Sequence, residues 1–376
     1  MAKEFIGSTC PSCGEEALRH HEKKLSCDKC GFERALAEEA YRITSRPLSS
    51  GGGVFWERLE VGLERNGKDM RCESCGGELN MDKSLSDFNC PFCLATSAAE
   101  GSGSKKVIKP WGLVPFNIPQ RRAFEILSNW IEGDWIGKYL FYPRDFLNFA
   151  KLEHIQGVYI PYWAYKVTTQ ATWYVFAGYK ATEDQKEWKE EDLRWVPKSI
   201  YFEHTFDEVL IPASKGVKEK ELGKVYDFDE KENYTDILNR VVPYEEAYLQ
   251  EFICELYQME LKNGLEKVDE ILDKKIKGFC MKKADEEGVQ KQIPIDFKER
   301  PALSTAKDGL TFKHILLPVW IAVYKHKGKP MRFIVNGVNG NTYGYRPFDN
   351  RRFWILLAII FVMIIILLLF VGSFWS

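Results

Sequence analysis

Eight of the ten cysteines fall into two matching sets of four, and no other feature constrains the fold of this chain as tightly. The first set is Cys10, Cys13, Cys27 and Cys30; the second is Cys72, Cys75, Cys90 and Cys93. Each set is two C-x-x-C pairs, separated by 13 residues in the first and 14 in the second. A C-x-x-C turn aims two sulfurs at one point, and two such turns make the tetrahedron of thiolates that Zn²⁺ favours. Gly14, Gly31 and Gly76, each just after a pair, can adopt the positive φ that turns backbone N–H groups toward sulfur. A disulfide framework is the competing reading. It fits poorly, because nothing in the sequence marks secretion and cytosolic thiols stay reduced. The expectation is two structural zinc ribbons, at 5–34 and 66–97, each holding Zn²⁺ through its four cysteines. Four ligands fill the tetrahedron, so no position remains for a catalytic water.

The C-terminus gives the second constraint. Phe353 to Val371 is an uncharged apolar run of 19 residues. About 20 residues of helix span the hydrocarbon layer of a bilayer. The expected element is one transmembrane helix over 353–373. Arg346, Arg351 and Arg352 precede it and no charge follows it. Positive flanks stay on the cytoplasmic side, which predicts a single-pass tail anchor in the cell membrane with the bulk of the chain in the cytoplasm. Trp354 and Trp375 sit near the two ends, where interfacial aromatics belong. The N-terminus lacks the apolar stretch of a signal peptide.

Between these landmarks the expected class is α+β. Residues 35–65 read as a linker with a short helical stretch (Glu33 to Tyr41), a glycine run at 49–53 and a strand candidate at Val54 to Leu63. A second Gly/Ser linker covers 98–104, so the ribbons are expected to hinge on each other or on the body. The body, 105–347, is one α+β domain or two subdomains. Pro119 to Gly133 shows the apolar period of a helix, with Ala123, Phe124, Ile126, Leu127, Trp130 and Ile131 on one face. Gly157 to Tyr179 and Ile200 to Ile211 are strand-like. Glu183 to Arg194 is highly charged and reads as a solvated loop or helix. From Pro243, apolar pairs recur at steps of four through Leu261, predicting a helix that Gly264 interrupts and a second segment continues through Leu265, Val268, Leu272 and Ile276. Ile315 to Tyr345 reads as a three-stranded meander, with a turn at Lys327–Lys329 and two Asn-Gly pairs after Val335. Ile160-Pro161-Tyr162-Trp163 echoes Leu317-Pro318-Val319-Trp320. A duplicated β-unit and a chance likeness of strand-start chemistry both account for the echo.

Composition disfavours several functions. The chain carries 52 basic and 54 acidic residues. Residues 1–50 balance, and residues 54–100 carry a net −4 before any metal centre is counted. Nucleic-acid binding draws its affinity from phosphate neutralisation, so these ribbons favour a protein partner. There is no G-x-x-x-x-G-K-[ST], H-E-x-x-H or G-x-S-x-G, and the chain is read as a non-enzyme. His20 and His21 are surplus to a filled Cys₄ site. Cys254 and Cys280 read as small buried apolar residues. The aromatic clusters around Tyr159–Tyr165 and Trp173–Phe176 read as sheet core.

The cysteine pairs, the segment Pro110-Trp111-Gly112-Leu113-Val114-Pro115-Phe116, the Pro-x-Trp strands, the hairpin Phe333-Ile334-Val335-Asn336-Gly337 and the terminal helix together resemble a known family. It comprises bacterial membrane-anchored proteins with a transcription-factor-IIB-type zinc ribbon, some of which carry a primosomal or helicase label. The missing phosphate loop contradicts that label here. The resemblance implies that Cys10, Cys13, Cys27 and Cys30, and by the same logic Cys72, Cys75, Cys90 and Cys93, are metal ligands. It also implies association with SPFH-type membrane scaffolds and the phage-shock envelope-stress response. The leading expectation is a zinc-ribbon adaptor that recruits a protein to the membrane. The runner-up is a membrane-tethered nucleic-acid-binding regulator, suggested by the ribbons and by Lys105, Lys106, Lys109, Arg121 and Arg122.

Overall fold

The computed structural model describes residues 4–5, 10, 12–13, 15, 18–21, 24–35, 46–47, 67–82, 87–98, 108–133, 142–143, 146, 155–180, 189, 193–226, 237, 240–249, 252–287, 289–294, 303–347 and 349–374. The expected glycine runs at 49–53 and 101–104 and the strand candidate at 54–63 lie outside these residues. So does most of the charged stretch at 183–194.

In chain order the strands begin with β1 (Glu4–Phe5), β2 (Leu18–His21), β3 (Lys24–Cys27) and β4 (Glu33–Ala35), which form one small antiparallel sheet. Then come β5 (Arg46–Pro47), β6 (Gly67–Arg71), β7 (Glu78–Asp82), β8 (Asp87–Asn89) and β9 (Thr96–Ala98). The body contains β10 (Gly112–Leu113), helix α1 (Gln120–Glu132), β11 (Ile155–Lys180), β12 (Leu193–Pro212) and α2 (Glu219–Tyr226). It continues with β13 (Val242–Pro243), β14 (Ile253–Glu255), α3 (Leu261–Glu286), β15 (Lys291–Pro294), β16 (Leu303–His326), β17 (Lys329–Asn336) and β18 (Thr342–Gly344). Last is α4 (Asn350–Phe374). The body is a mixed, sheet-rich α+β unit.

Two long antiparallel strands, β11 and β16, form its spine, paired from Ile155↔Ala322 to Trp173↔Leu303. From Gly157 to Tyr165 every β11 residue is buried, so both sheet faces are covered there. Beyond Lys166 burial alternates, and Val167, Thr169, Ala171, Trp173, Val175 and Ala177 form the covered face. Helix α3 packs in that region, with Val268, Leu272, Ile276 and Cys280 fully buried. Fully burying a side chain of the Val, Leu or Ile type contributes roughly 1.5–3 kcal/mol, so this stripe fixes the helix more firmly than its propensities do.

The echo between the two Pro-x-Trp segments is the trace of an internal duplication. Ile160 and Leu317, its corresponding positions, are direct cross-strand partners. The two segments are thus related by a local two-fold axis through that pair, and the contacts around it repeat. Short strand β10 runs parallel to β16 at Gly112↔Ile315 and Leu113↔Leu316. Short strand β14 runs parallel to β11 at Ile253↔Val158 and Cys254↔Tyr159, the equivalent positions. Trp320 Nε1 donates to Ile118 O at 2.8 Å and Trp163 Nε1 to Met259 O at 2.8 Å. Gly337 N donates to Pro318 O at 2.9 Å, and Ala213 N to Pro161 O at 2.8 Å. Gly337 O accepts from Asn117 N and Ile118 N; Ala213 O accepts from Gln258 N and Met259 N. Each half is therefore short strand, helix, long strand and returning strand, and each lends its short strand to the long strand of the other.

The prolines lie inside strands, not at their starts, because each marks a change of neighbour. On one flank β11 pairs with β14 at Val158 and Tyr159 and with β12 from Tyr162 onward. Pro161 sits between them, with its carbonyl on that flank taken by Ala213. A strand residue's N and O point the same way, so an N–H here would meet the gap between two neighbours, and proline has none to strand. Pro318 does the same between β10 and β17.

Three expectations change. The helix expected from Pro243 to Leu261 is strand β13, a 3₁₀ turn (Glu246–Leu249) and strand β14. Its apolar residues Tyr248, Phe252, Cys254 and Leu256 are buried in the core, and β14 is paired on both edges, by β11 and β7. Gly264 does not interrupt α3. It lies in its first turn, where an added Cβ would run into Tyr165 Oη, and that hydroxyl donates to Leu261 O at 2.6 Å. The start of the helical stretch expected at 33–41 is strand β4, paired with β3; residues 36–41 lie outside the described set. By contrast, α1 and the three-stranded meander form as expected, the latter turning at Lys327 and Gly328, both with positive φ.

The repeated indole bonds give a test. Trp163→Phe and Trp320→Phe each remove one donor and leave a carbonyl unpaired. Each is expected to cost about 1–3 kcal/mol, by similar amounts, in urea unfolding of the detergent-solubilised chain. A loss at one position alone contradicts the equivalence.

Candidate metal centres

Each C-x-x-C turn is built by the backbone. In the first set, Cys10 N donates to Glu15 O and Cys27 N to Phe32 O, both at 2.8 Å, and Gly31 N returns to Cys27 O. In the second, Cys72 N donates to Gly77 O and Gly76 N to Cys72 O; Cys90 N donates to Ala95 O and Leu94 N to Cys90 O. The returning residue has positive φ: +71° at Gly31, +74° at Gly76 and +58° at Leu94. Leu94 occupies a glycine position, where the left-handed conformation costs a residue with a Cβ roughly 1–2 kcal/mol. The turn closes in spite of that cost.

All eight predicted ligands converge in their two sets. Within each set the four Sγ atoms lie within 4.8 Å of one another. Specific pairs are Cys10–Cys30 at 3.6 Å, Cys13–Cys27 at 3.7 Å, and Cys72–Cys93 and Cys75–Cys90 at 3.6 Å. A tetrahedron with metal–sulfur bonds of ~2.3 Å has an edge of ~3.8 Å, so the sulfurs stand where such a site needs them. None of the ten cysteines forms a disulfide. The hydrogen bond from Cys90 pulls the Cys75 thiol down to about 5, and the same bond pushes Cys90 well up. One cation of charge +2 removes the conflict by taking all four as thiolates. The donor set fits a metal such as zinc.

The two centres differ in their surroundings. The second is built into the body. Its strand β7 pairs with β14 at Cys254↔Asn80 and Glu255↔Leu79. The equivalent edge in the other half, that of β10, is covered by β13 at Gly112↔Pro243 and Leu113↔Val242. The cysteine module thus takes the place of a body strand, and no hinge separates it from the sheet. Body side chains also hold its turns. Arg332 Nε donates to Phe92 O at 2.7 Å, Lys325 Nζ to Leu94 O at 3.1 Å, and Gln258 Nε2 to Gly76 O. Arg332 also pairs with Glu221 at 2.9 Å, in a site where the two side chains are only 13% and 4% exposed. Phe92 fills the space over Gly216, where a Cβ would collide with its ring. Three of the four cysteines are buried and Cys75 is half-buried.

The first centre is more open. Its strands pair only with one another among the described residues. Cys10 and Cys27 are buried within the body's apolar cluster, on which Phe32 also packs, but Cys13 and Cys30 are exposed. Lys29 forms an exposed pair with Glu15 at 2.6 Å. Cys254 and Cys280 are buried and belong to neither set. Sequence reasoning missed Arg332, Lys325, Gln258 and Glu255, which act on the second set from far along the chain.

Glu255 is buried beside this centre and accepts from Gly216 N at 2.9 Å and Lys215 N at 3.2 Å. Burial pushes its carboxyl up from 4.5 to about 7. Its contribution to stability is full below pH 4.5 and is lost as pH rises through about 7, by at most about 3 kcal/mol. Glu255→Gln keeps an acceptor oxygen and cannot ionise. It is expected to flatten the fall in melting temperature between pH 5 and 8. Arg332→Met leaves Glu221 as a buried, unpaired charge and is expected to cost about 3–5 kcal/mol; denaturant titration measures it.

No family model matches the chain. A Bacillus subtilis (strain 168) protein named uncharacterized protein YdjG is similar to it, 22% identical over 257 residues. The match covers 65% of this chain and 66% of that protein, just under two thirds of its length. No solved structure matches.

Proposed function

We propose that the chain is a non-enzymatic membrane adaptor, with two zinc-bearing cysteine modules on an α+β body anchored by its terminal helix. The observation that carries the reading is the union in one chain of two complete Cys₄ clusters and an exposed apolar helix. Closed tetrathiolate sites organise backbone and do not hydrolyse. The 19-residue stretch Asn350–Leu368 is long and apolar enough to cross a bilayer, and none of it is buried against the body. Contiguous exposed apolar surface of that size calls for a lipid or protein cover. The arginines ahead of it support an orientation with the body in the cytoplasm. The neutral to acidic charge of the modules supports a protein as the captured partner. The family resemblance suggests SPFH-type scaffolds or phage-shock proteins as the first to look for.

Purified full-length protein is expected to contain two zinc ions per chain by elemental analysis. A mild-detergent pull-down from native membranes should recover a stoichiometric protein that the Cys10→Ser/Cys13→Ser variant loses. Nuclease-sensitive nucleic acid in its place would support the tethered regulator. Protease protection in sealed vesicles tests orientation: a body on the cytoplasmic side is expected, and protection of the modules from cytoplasmic protease would reverse it.

A further inference from the structure

The internal duplication separates the roles of the two cysteine centres. We infer that the second centre is an architectural clamp of the body sheet, whereas the first is an exchangeable metal site whose loss leaves the body intact. The inference rests on both centres holding metal, and not on the adaptor role.

Three observations carry it. First, the duplication supplies an internal control. Both short strands, β10 and β14, need a neighbour on their outer edge, since an unpaired buried edge strands backbone donors and acceptors. β10 receives β13 from within the body. β14 receives β7 from the second cysteine module on the equivalent edge, one residue further along, and Leu256 N extends the contact to Glu78 O at 2.8 Å. The module replaces a strand that the fold requires, so the body cannot release it without exposing β14. The first module has no such position: β1 to β4 pair only among themselves among the described residues.

Second, the turns of the second centre are held from outside. Arg332, Lys325 and Gln258 donate to the carbonyls of Phe92, Leu94 and Gly76, within or next to the ligand loops. These bonds fix the loops that aim the sulfurs, and the two cations lie near a centre of net −2 charge. Outer partners of this kind are worth roughly 10–100-fold in metal affinity. At the first centre, Lys29 and its partner Glu15 are both more than half exposed, and such pairs contribute little.

Third, access differs. A competing ligand removes metal stepwise by reaching one sulfur at a time. Cys13 and Cys30 offer exposed sulfurs from both turns of the first centre. Only Cys75, half-buried, is reachable in the second.

The test is metal release from the full-length chain in detergent, challenged with excess EDTA and followed together with the melting of the body. Two phases of one ion each are expected, the fast one roughly tenfold or more quicker. The melting temperature should hold through the fast phase and fall with the slow one. Cys13→Ser/Cys30→Ser, at the two exposed ligands, should retain one ion, show only the slow phase and melt as the parent does. Because a Cys72→Ser/Cys75→Ser variant risks failing to fold, Arg332→Met is the second probe; it should quicken the slow phase roughly tenfold and leave the fast phase unchanged. Release of both ions in one phase overturns the inference, as does a lowered melting temperature in the Cys13→Ser/Cys30→Ser variant or an unchanged slow phase in Arg332→Met. A chain that purifies with no zinc refutes the metal reading itself, a different failure from two ions that leave together.

Discussion

The pairing of β11 with β16 about the Ile160–Leu317 position is the contact on which the rest depends. Every other body element is placed by reference to it. The short strands flank it, each borrowed from the other half, and the returning strands β12 and β17 start where the short strands stop. Exchange of the short strands means that neither half completes its sheet alone. The duplication is therefore one cooperative body and not two domains in series, although its contacts join residues far apart in sequence. Such non-local pairing carries a large loop-closure cost before it is rewarded, so folding is expected to be slow relative to a helical chain of this size.

The faintness of the repeat in the sequence follows from what enforces it. Most equivalent contacts are backbone hydrogen bonds, such as Gly337 and Ala213 bridging Pro318 and Pro161 to neighbouring loops. Backbone groups make them, so they leave little mark on side-chain identity outside Gly337, where a Cβ would run into Phe116 and the Pro318 carbonyl. Proline survives because the strand switches neighbours there, and tryptophan because its Nε1 must reach the carbonyl of Ile118 or Met259. Those two residue types are the echo that the sequence retains.

Legibility of the metal centres obeys the same rule. The eight ligand cysteines were readable because metal binding fixes both residue type and spacing. The left-handed turn at Leu94 was not, since the pattern offers no glycine there. Nor was the attachment of the second module, because β7 and β14 meet through backbone groups. Arg332 and Lys325 stand in a meander whose strands were recognised, yet their hydrogen-bond partners are carbonyls of another segment, with no code of their own. The run after Pro243 reads as a helix for a related reason: short buried segments with apolar residues on both faces are not distinguished by periodicity alone from a helix stripe.

The terminal helix adds a constraint on any adaptor role. It begins at Asn350, shortly after the last strand of the meander, and the junction is tied to the body. Arg346 donates from Nη2 to Trp130 O at 2.7 Å and lies 4.2 Å over the Trp130 ring. Arg352 donates from Nη1 to Tyr142 O at 2.7 Å. The arginines that would fix orientation at a membrane surface therefore also fasten the start of the helix to α1 and its neighbour. A body so fastened is held at a set angle to its proposed anchor, unlike one on a flexible tether that samples many. The second cysteine centre, clamped in the sheet, inherits that angle. The first joins the body by packing, through Cys10, Cys27 and Phe32, and without a shared strand among the described residues.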